Sequence, residues 1–477
     1  MIKDHKFDTR VQELKYKVLT CIAESYYNGT LLEDYSKIPE VIVPGPKPTM
    51  RCCIYKERAI VLERMKLALG GNKDIDNIVE VIKVACDECP LGGYEVTNRC
   101  RGCIAQRCIK ACPKKAISFD TVRHQAVIDK EKCINCGMCA KACQYNAIQN
   151  YLRPCVQACK VKAISMDEDK AAKIDDEKCV QCGACVYQCP FGAIMDKSYI
   201  TKVIDLLNDG EKNKYPVYAI VAPTMATQFK YMKFGQLVTA IKELGFKDVT
   251  EAALGADMVA FNEAKELEEK GFLTSSCCPT FVSFIEKNYP KLKENISSNL
   301  SPMATVAKFL KEKEPNAKFV FIGPCISKKK EVQLDKVKKY VEYTLTFEEL
   351  QALIDAKNID YDSLEESELY VASYYGRIFA RCGGISEAVK EALKEQGSSF
   401  EVKATNADGL EACRIMLTKA SSSSNEFNFF EGMGCVGGCI GGPCCLTHEM
   451  RDKSEIDKHG RESRVSSIVE SIEKAGK

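Results

Sequence analysis

The sequence predicts a multidomain chain of mixed class, α+β in a cysteine-dense stretch and α/β beyond it. Three observations carry this. Sixteen of the 28 cysteines fall between residues 86 and 189. Inside that stretch one short unit, a cysteine and an Ala-Ile pair separated by three residues, recurs four times. From about residue 215, strand-like runs alternate with amphipathic segments, the pattern of helices layered on a largely parallel sheet. A chain of 477 residues is too long for one core. Four parts are expected: a helical region 1–85 without assigned role, an iron–sulfur domain 86–200 of two tandem modules, an α/β domain 215–447, and a polar helical tail 448–477.

In region 1–85, Val11, Leu14, Val18 and Ile22 recur at helical spacing and predict a helix over 8–26. Pro39, Pro44, Pro46 and Pro48 mark a linker, and a second helix over 54–69 stops at Gly70-Gly71. The expected role is a structural cap on the cysteine-dense domain.

That domain carries Cys133-x2-Cys136-x2-Cys139-x3-Cys143 and Cys179-x2-Cys182-x2-Cys185-x3-Cys189-Pro190. This is the bacterial ferredoxin spacing for 4Fe–4S ligation, in which the fourth cysteine serves the neighbouring cluster. Disulfides are the weaker account, because disulfide scaffolds are small and secreted. The rule groups Cys133, Cys136 and Cys139 with Cys112. It returns Cys143 to a cluster begun by Cys100, Cys103 and Cys108, whose run has x4 where x2 is usual. Cys179, Cys182 and Cys185 take Cys159. Cys86, Cys89, Cys155 and Cys189 remain as a possible fourth set, with a zinc site at Cys86-x2-Cys89 as its competitor. Two to four 4Fe–4S clusters are therefore expected. The repeat units at Cys112, Cys143, Cys159 and Cys189 each end a cysteine loop and open a strand, so the four make two ferredoxin-like modules.

In the α/β part, strands are expected at 217–221 and 319–322, and helices at 234–244, 259–270, 302–313 and 347–356. Ser421–Ser424 reads as a loop, and His5, His124, His448 and His459 as surface residues. Lys+Arg 68 against Asp+Glu 66 gives no sign of a nucleic-acid partner. The polar start and the lack of an 18-residue apolar run predict neither an export signal nor a membrane span, hence a cytoplasmic protein.

Three motifs follow in the α/β part: Thr274-Ser275-Ser276-Cys277-Cys278-Pro279, Gly323-Pro324-Cys325-Ile326-Ser327-Lys328-Lys329-Lys330-Glu331, and Gly432-Met433-Gly434-Cys435-Val436-Gly437-Gly438-Cys439. Cysteines after strand ends fit the rule that α/β sites gather there. The ordered triplet resembles the three signature motifs of the iron-only (FeFe) hydrogenases, over roughly residues 86–447. The resemblance implies an α/β domain holding an H-cluster: a 4Fe–4S cubane bridged by one cysteine to a two-iron subsite with CO, cyanide and an azadithiolate bridge. By motif position it makes Cys278, Cys325, Cys435 and Cys439 the cubane ligands, with Cys439 as bridge. It makes Cys277 the proton-passing thiol, Lys328 a donor to cyanide, and Met433 and Pro223 pocket residues. Glu263 and Glu266, one helical turn apart, match the family's acidic proton relay.

The implied activity is reversible H2 oxidation and proton reduction in an anaerobic setting. The implied partners are H2 and protons, a ferredoxin or similar electron carrier and hydrogenase maturation proteins; a monomer is compatible. The proton couple at pH 7, about −0.41 V, and ferredoxin clusters at roughly −0.4 V lie close enough for flow in both directions. A hydrogen or redox sensor and a non-catalytic polyferredoxin are the alternatives. Well-studied members carry methionine at Gly323, glycine at Thr280, alanine at Gly434 and proline at Val436, so the chain is a divergent branch.

Overall fold

The computed structural model describes residues 5–90, 92–369, 372–422 and 426–476. The polar start Met1–Asp4 and Ser423 and Ser424 of the serine run lie outside the described residues.

The iron–sulfur domain is nested rather than tandem. Strand Val79–Val81 pairs antiparallel with Ile194–Asp196, and strand Gly93–Val96 with Ile148–Tyr151. The second pair closes an inner module around the hairpin of Ile117–Asp120 and Gln125–Ile128. That module is inserted between Val79–Val81 and the rest of an outer module, whose hairpin joins Ile164–Met166 to Ala172–Ile174. Spacing alone cannot reveal this, because an insertion leaves local cysteine intervals untouched. In both modules the closing pair extends by one equivalent bond: Thr97 N–H donates to Ala147 O, and Ile82 N–H to Ala193 O.

The fourfold repeat has a common geometry. The residue before each alanine, Lys115, Asn146, Lys162 or Gly192, takes a positive φ of 49–55°. This turns the alanine N–H onto the repeat's own sulfur, at 3.2–3.4 Å from Cys112, Cys143, Cys159 and Cys189. Hydrogen bonds to sulfur stabilise thiolate and tune cluster potential.

Beyond residue 215, two parallel sheets form. One has the order Asp248–Glu251, Val217–Val221, Lys318–Ile322, Tyr343–Leu345; the other Leu273–Thr274, Phe429–Met433, Ala404–Asp408. Helix Ala252–Lys270 runs buried beside both, longer than the expected 259–270. Gly255 lets it approach Pro302 O, which a Cβ would meet at 2.0 Å. The other expected helices appear as Phe234–Glu243, Pro302–Lys313 and Phe347–Ala356.

Region 1–85 is not a simple cap. Helix Arg10–Tyr27, capped by Thr9 accepting from Gln12 N–H, buries Tyr16, Leu19 and Ile22 in the α/β core beside helix Phe347–Ala356. Helix Ile54–Ala68 faces the outer module, where Arg64 donates to Gly192 O at 2.7 Å. The tail is helical but packed: Ile468 is buried and Ser471 donates to Asp257. Two histidines are not on the surface. His5 is held at 2.7 Å by buried Asp355, and His459 is buried near Glu251. Among the described residues no helix is long and apolar enough to cross a membrane.

Candidate active site

The ends of four parallel strands deliver the site. Val217–Val221 leads into Pro223, Lys318–Ile322 into Cys325, Leu273–Thr274 into Cys277 and Cys278, and Phe429–Met433 into Cys435 and Cys439. All of these residues, with Met433 and Lys328, line one apolar cavity of about 880 Å³ including its mouth. The sulfurs of Cys277, Cys278, Cys325, Cys435 and Cys439 are half-buried or exposed because they open onto this space.

As thiolates these sulfurs oppose one another. Burial, then Cys278 and Cys439, push the Cys325 thiol up to about 12. Burial, then Cys278, push Cys439 to about 12. Burial, then Cys325, Cys278 and Cys439, raise Cys435 well above the thiol range. Four soft donors that cannot all ionise alone fit a polycationic iron–sulfur core, which takes thiolate and removes the repulsion. Gly434 N–H already points at Cys278 Sγ, 3.4 Å away.

The accessory cysteines gather in four sets. Burial, then Cys189, Cys86 and Cys89, bear on the Cys155 thiol, raised to about 11. Cys143, Cys100 and Cys103 bear on Cys108, and Cys133 and Cys112 on Cys139. Cys179 and Cys159 bear on Cys182, and all three on Cys185. Nesting explains the first set: Cys86 and Cys89 follow the strand that belongs to the outer module. Cys136 is exposed at the inner module's rim.

Cys182 also lines the same cavity and acts electrostatically on Cys435. A Cβ on neighbouring Gly183 would meet Pro443 at 2.6 Å and Ile326 at 2.7 Å, so this cluster loop sits directly on the helix after Cys325 and the segment after Cys439. Spacing gave no sign of that contact.

The three consecutive lysines take three paths. Lys328 is buried; Glu331 at 2.6 Å outweighs that burial and keeps its ammonium above the ordinary range. Lys328 also donates to Cys277 O at 3.3 Å. Lys329 is fully buried against Asp196 (2.7 Å) and Glu349 (2.9 Å), and Lys330 reaches Asp76 at 2.6 Å. Lys15 joins the knot, 2.5 Å from both Asp196 and Glu348. Asp196, Glu348 and Cys444 offer three ligand-type atoms within 4.8 Å, but the Lys15 ammonium already bridges the two carboxylates, and Lys329 pairs with Asp196.

Behind Cys277 lies Glu263, fully buried, its carboxyl pushed up by burial to about 7. One oxygen accepts from Ser276 N–H (3.3 Å) and hydroxyl (3.4 Å); the other is buried without a partner. Ser297 bears on Glu263 and donates to Glu266 at 3.0 Å. Against the burial that would raise it, Lys270 at 2.7 Å and the Ser298 N–H hold Glu266 below the ordinary carboxylate range. Asn299 also donates to Glu266, at 3.0 Å. Ser276, Ser297, Asn299 and Lys270 have no diagnostic spacing in the sequence, where they look like ordinary polar turn and helix residues.

Two departures from the family motifs compensate each other. A Cβ on Gly434 would lie 2.4 Å from Thr280 Cγ2, so the threonine fills the place of the missing methyl. At Gly323 the Phe321 ring does the same, 2.7 Å from an added Cβ.

Fold and site together define an iron–sulfur protein whose cysteine sets lead to one apolar cavity. A family profile described as “Iron only hydrogenase large subunit, C-terminal domain” matches residues 215–443, and “4Fe-4S dicluster domain” matches residues 99–147 and 153–193. Iron hydrogenase 1 of Clostridium pasteurianum is 29% identical over 387 residues, covering 69% of this chain and 66%, just under two thirds, of that protein. The periplasmic Fe hydrogenase large subunit of Nitratidesulfovibrio vulgaris is 27% identical over 380 residues, covering 67% of this chain and 86% of that one. A solved FeFe hydrogenase superposes with a TM-score of 0.49 at 18% identity, over 58% of this chain and 93% of that chain. Residues 215–443 belong to the iron-only hydrogenase large-subunit family.

Proposed function

We propose that this protein is a hydrogenase interconverting H2 with two protons and two electrons. The observation that carries the reading is the meeting of Cys278, Cys325, Cys435 and Cys439 on one cavity, with Cys277 and Lys328 in its wall and Glu263, Ser297 and Glu266 leading outward. These four thiols would hold an H-cluster with its CO, cyanide and azadithiolate groups, which supplies heterolytic cleavage of H2 and one-electron redox chemistry. Lys328, charged in an apolar wall, would donate to a cyanide. Pro223, Met433 and Phe321 exclude water.

Cys277 holds a proton at the cavity wall: burial, then Cys278 and Glu263, raise its thiol well above the ordinary range. Glu263 near 7 can both accept and release that proton, the condition for a relay working near neutrality. Ser297 and Glu266 complete the way out. A carrier of electrons alone would need no such row of buried protonatable groups. Electrons would pass between Cys435 and the set of Cys159, Cys179, Cys182 and Cys185, then outward through the other three sets, exchanging with a ferredoxin-type carrier. Cysteines reserved for cluster ligation rather than disulfides fit a reducing, anaerobic setting, which would be cytoplasmic. The diatomic groups of an H-cluster would be supplied by maturation proteins.

Infrared spectra of anaerobically matured protein should show iron-bound CO and cyanide bands together with H2 turnover. Absence of both after full maturation overturns the reading. Cys277→Ala should abolish turnover at unchanged iron content.

A further inference from the structure

The inner iron–sulfur module carries an asymmetry that hydrogen chemistry does not use. The whole chain is almost neutral, yet residues 96–119 hold Arg99, Arg101, Arg107, Lys110, Lys114 and Lys115 and no acidic residue. All six are exposed. Among the described residues none of them is in an ion pair, whereas three of the module's four acids are engaged nearby: Asp129 with Lys132 at 2.9 Å, Glu95 with Lys130 at 3.1 Å, and Asp120 with the N–H groups of Val122 and Arg123; the fourth, Glu131, is exposed.

An exposed apolar tip stands within this cationic field. The two extra residues of Cys103-x4-Cys108 form a loop, turned by Gln106 at φ 41°, that leaves Ile104 100% exposed beside exposed Cys103. Val122, 90% exposed, tips the neighbouring hairpin. The two loops touch: a Cβ on Gly102 would lie 2.4 Å from His124 O. Longer spacing therefore costs the cysteine motif regularity and places an apolar centre with a basic rim over an exposed sulfur. That is the anatomy of a transient protein interface, with charge to steer a partner and apolar contact to seat it. The outer module, not this one, meets the catalytic cavity, so this face is the open end of the electron path.

We propose that loop 99–110, with hairpin tip 121–124, is the docking site for an acidic one-electron carrier protein. The proposal rests on the hydrogenase reading. Each encounter passes one electron between the cluster edge and the carrier, so two encounters match the two electrons of one H2.

The test uses the full, anaerobically matured chain and a small acidic bacterial ferredoxin as probe. Binding is followed by calorimetric titration at low and high salt; H2-dependent reduction is followed with that ferredoxin and, separately, with methyl viologen. Arg101→Glu/Arg107→Glu/Lys110→Glu should weaken ferredoxin binding by about tenfold or more and flatten its salt dependence. Methyl viologen reduction should stay at the wild-type rate. Ile104→Ser should weaken binding without altering the salt slope, which keeps the test open if the charge-reversed variant loses iron. Wild-type affinity in both variants overturns the proposal, as does a parallel fall of the two rates at full iron content. If wild-type protein reduces neither acceptor, the hydrogenase reading fails, while the titration still decides the docking site.

Discussion

Glu263→Gln separates proton transfer from stability. The carboxyl is fully buried and raised from 4.5 to about 7, while Ser276 donates to one oxygen and the other has no partner. A raised carboxyl binds its proton more tightly in the folded than in the unfolded chain. Its contribution to stability is therefore complete below the unfolded value of 4.5 and is lost as pH rises through 7. At about 1.4 kcal/mol per pH unit that loss amounts to about 3 kcal/mol. Glutamine keeps the acceptor toward Ser276 but does not titrate, and its amide leaves a donor unmet at a cost of about 1–3 kcal/mol. Denaturant unfolding at about pH 5 and about pH 8 should show the wild type losing about 2.5 kcal/mol more than the variant over that interval. Hydrogen turnover by matured protein should fall on the order of 10²-fold or more, the usual worth of a positioned proton-transfer group. Unchanged turnover would remove Glu263 from the relay, and identical pH dependence would show that its carboxyl titrates normally.

Removing Lys15, as Lys15→Met, strips a cation lying 2.5 Å from both Asp196 and Glu348. Unfolding experiments should register a loss of about 3–5 kcal/mol. Gly434→Ala drives a methyl into Thr280 and should cost about 1–3 kcal/mol; in Thr280→Gly/Gly434→Ala the penalty should largely disappear, giving a coupling above about 0.5 kcal/mol. Strict additivity would mean that the two residues do not share one space. Cys155→Ser should remove about four irons per chain, one 4Fe–4S complement, while the other sets stay loaded. Zinc in wild-type protein, with unchanged iron in the variant, would instead favour a zinc site at Cys86 and Cys89.

The parts of the fold legible in the sequence are those with local rules. Strand Val217–Val221 and helices Phe347–Ala356 and Pro302–Lys313 follow from periodicity, and the cysteine runs from ligand spacing. The illegible parts depend on distant pairing. Strand Val79–Val81 is short, and its partner lies beyond an inserted module at Ile194–Asp196, so tandem and nested arrangements read alike. His5 resembles a surface residue until Tyr16 and Asp355 bury it. The motif cysteines were readable as a group, but nothing in their spacing places Cys182 of a ferredoxin loop against the same cavity.

The lysine run shows how one turn of helix can bind these levels together. A run of three cations reads as a solvated face, yet helix Ile326–Glu331 directs them about 100° apart per residue. Lys328 thus meets the catalytic cavity, Lys329 the buried carboxylates of Asp196 and Glu349, and Lys330 the chain just before the outer module at Asp76. Asp196 ends the strand that closes that module, and Lys15 brings in the N-terminal helix. Breaking such a buried pair leaves an uncompensated charge, so the module cannot slide relative to the catalytic domain at small cost. The same helix carries Ile326, against which Gly183 of the cluster loop packs. The proposed electron entry beside Cys182 and proton handling beside Cys277 would thereby be held in one register by a six-residue helix, of which the sequence motif singles out only Lys328.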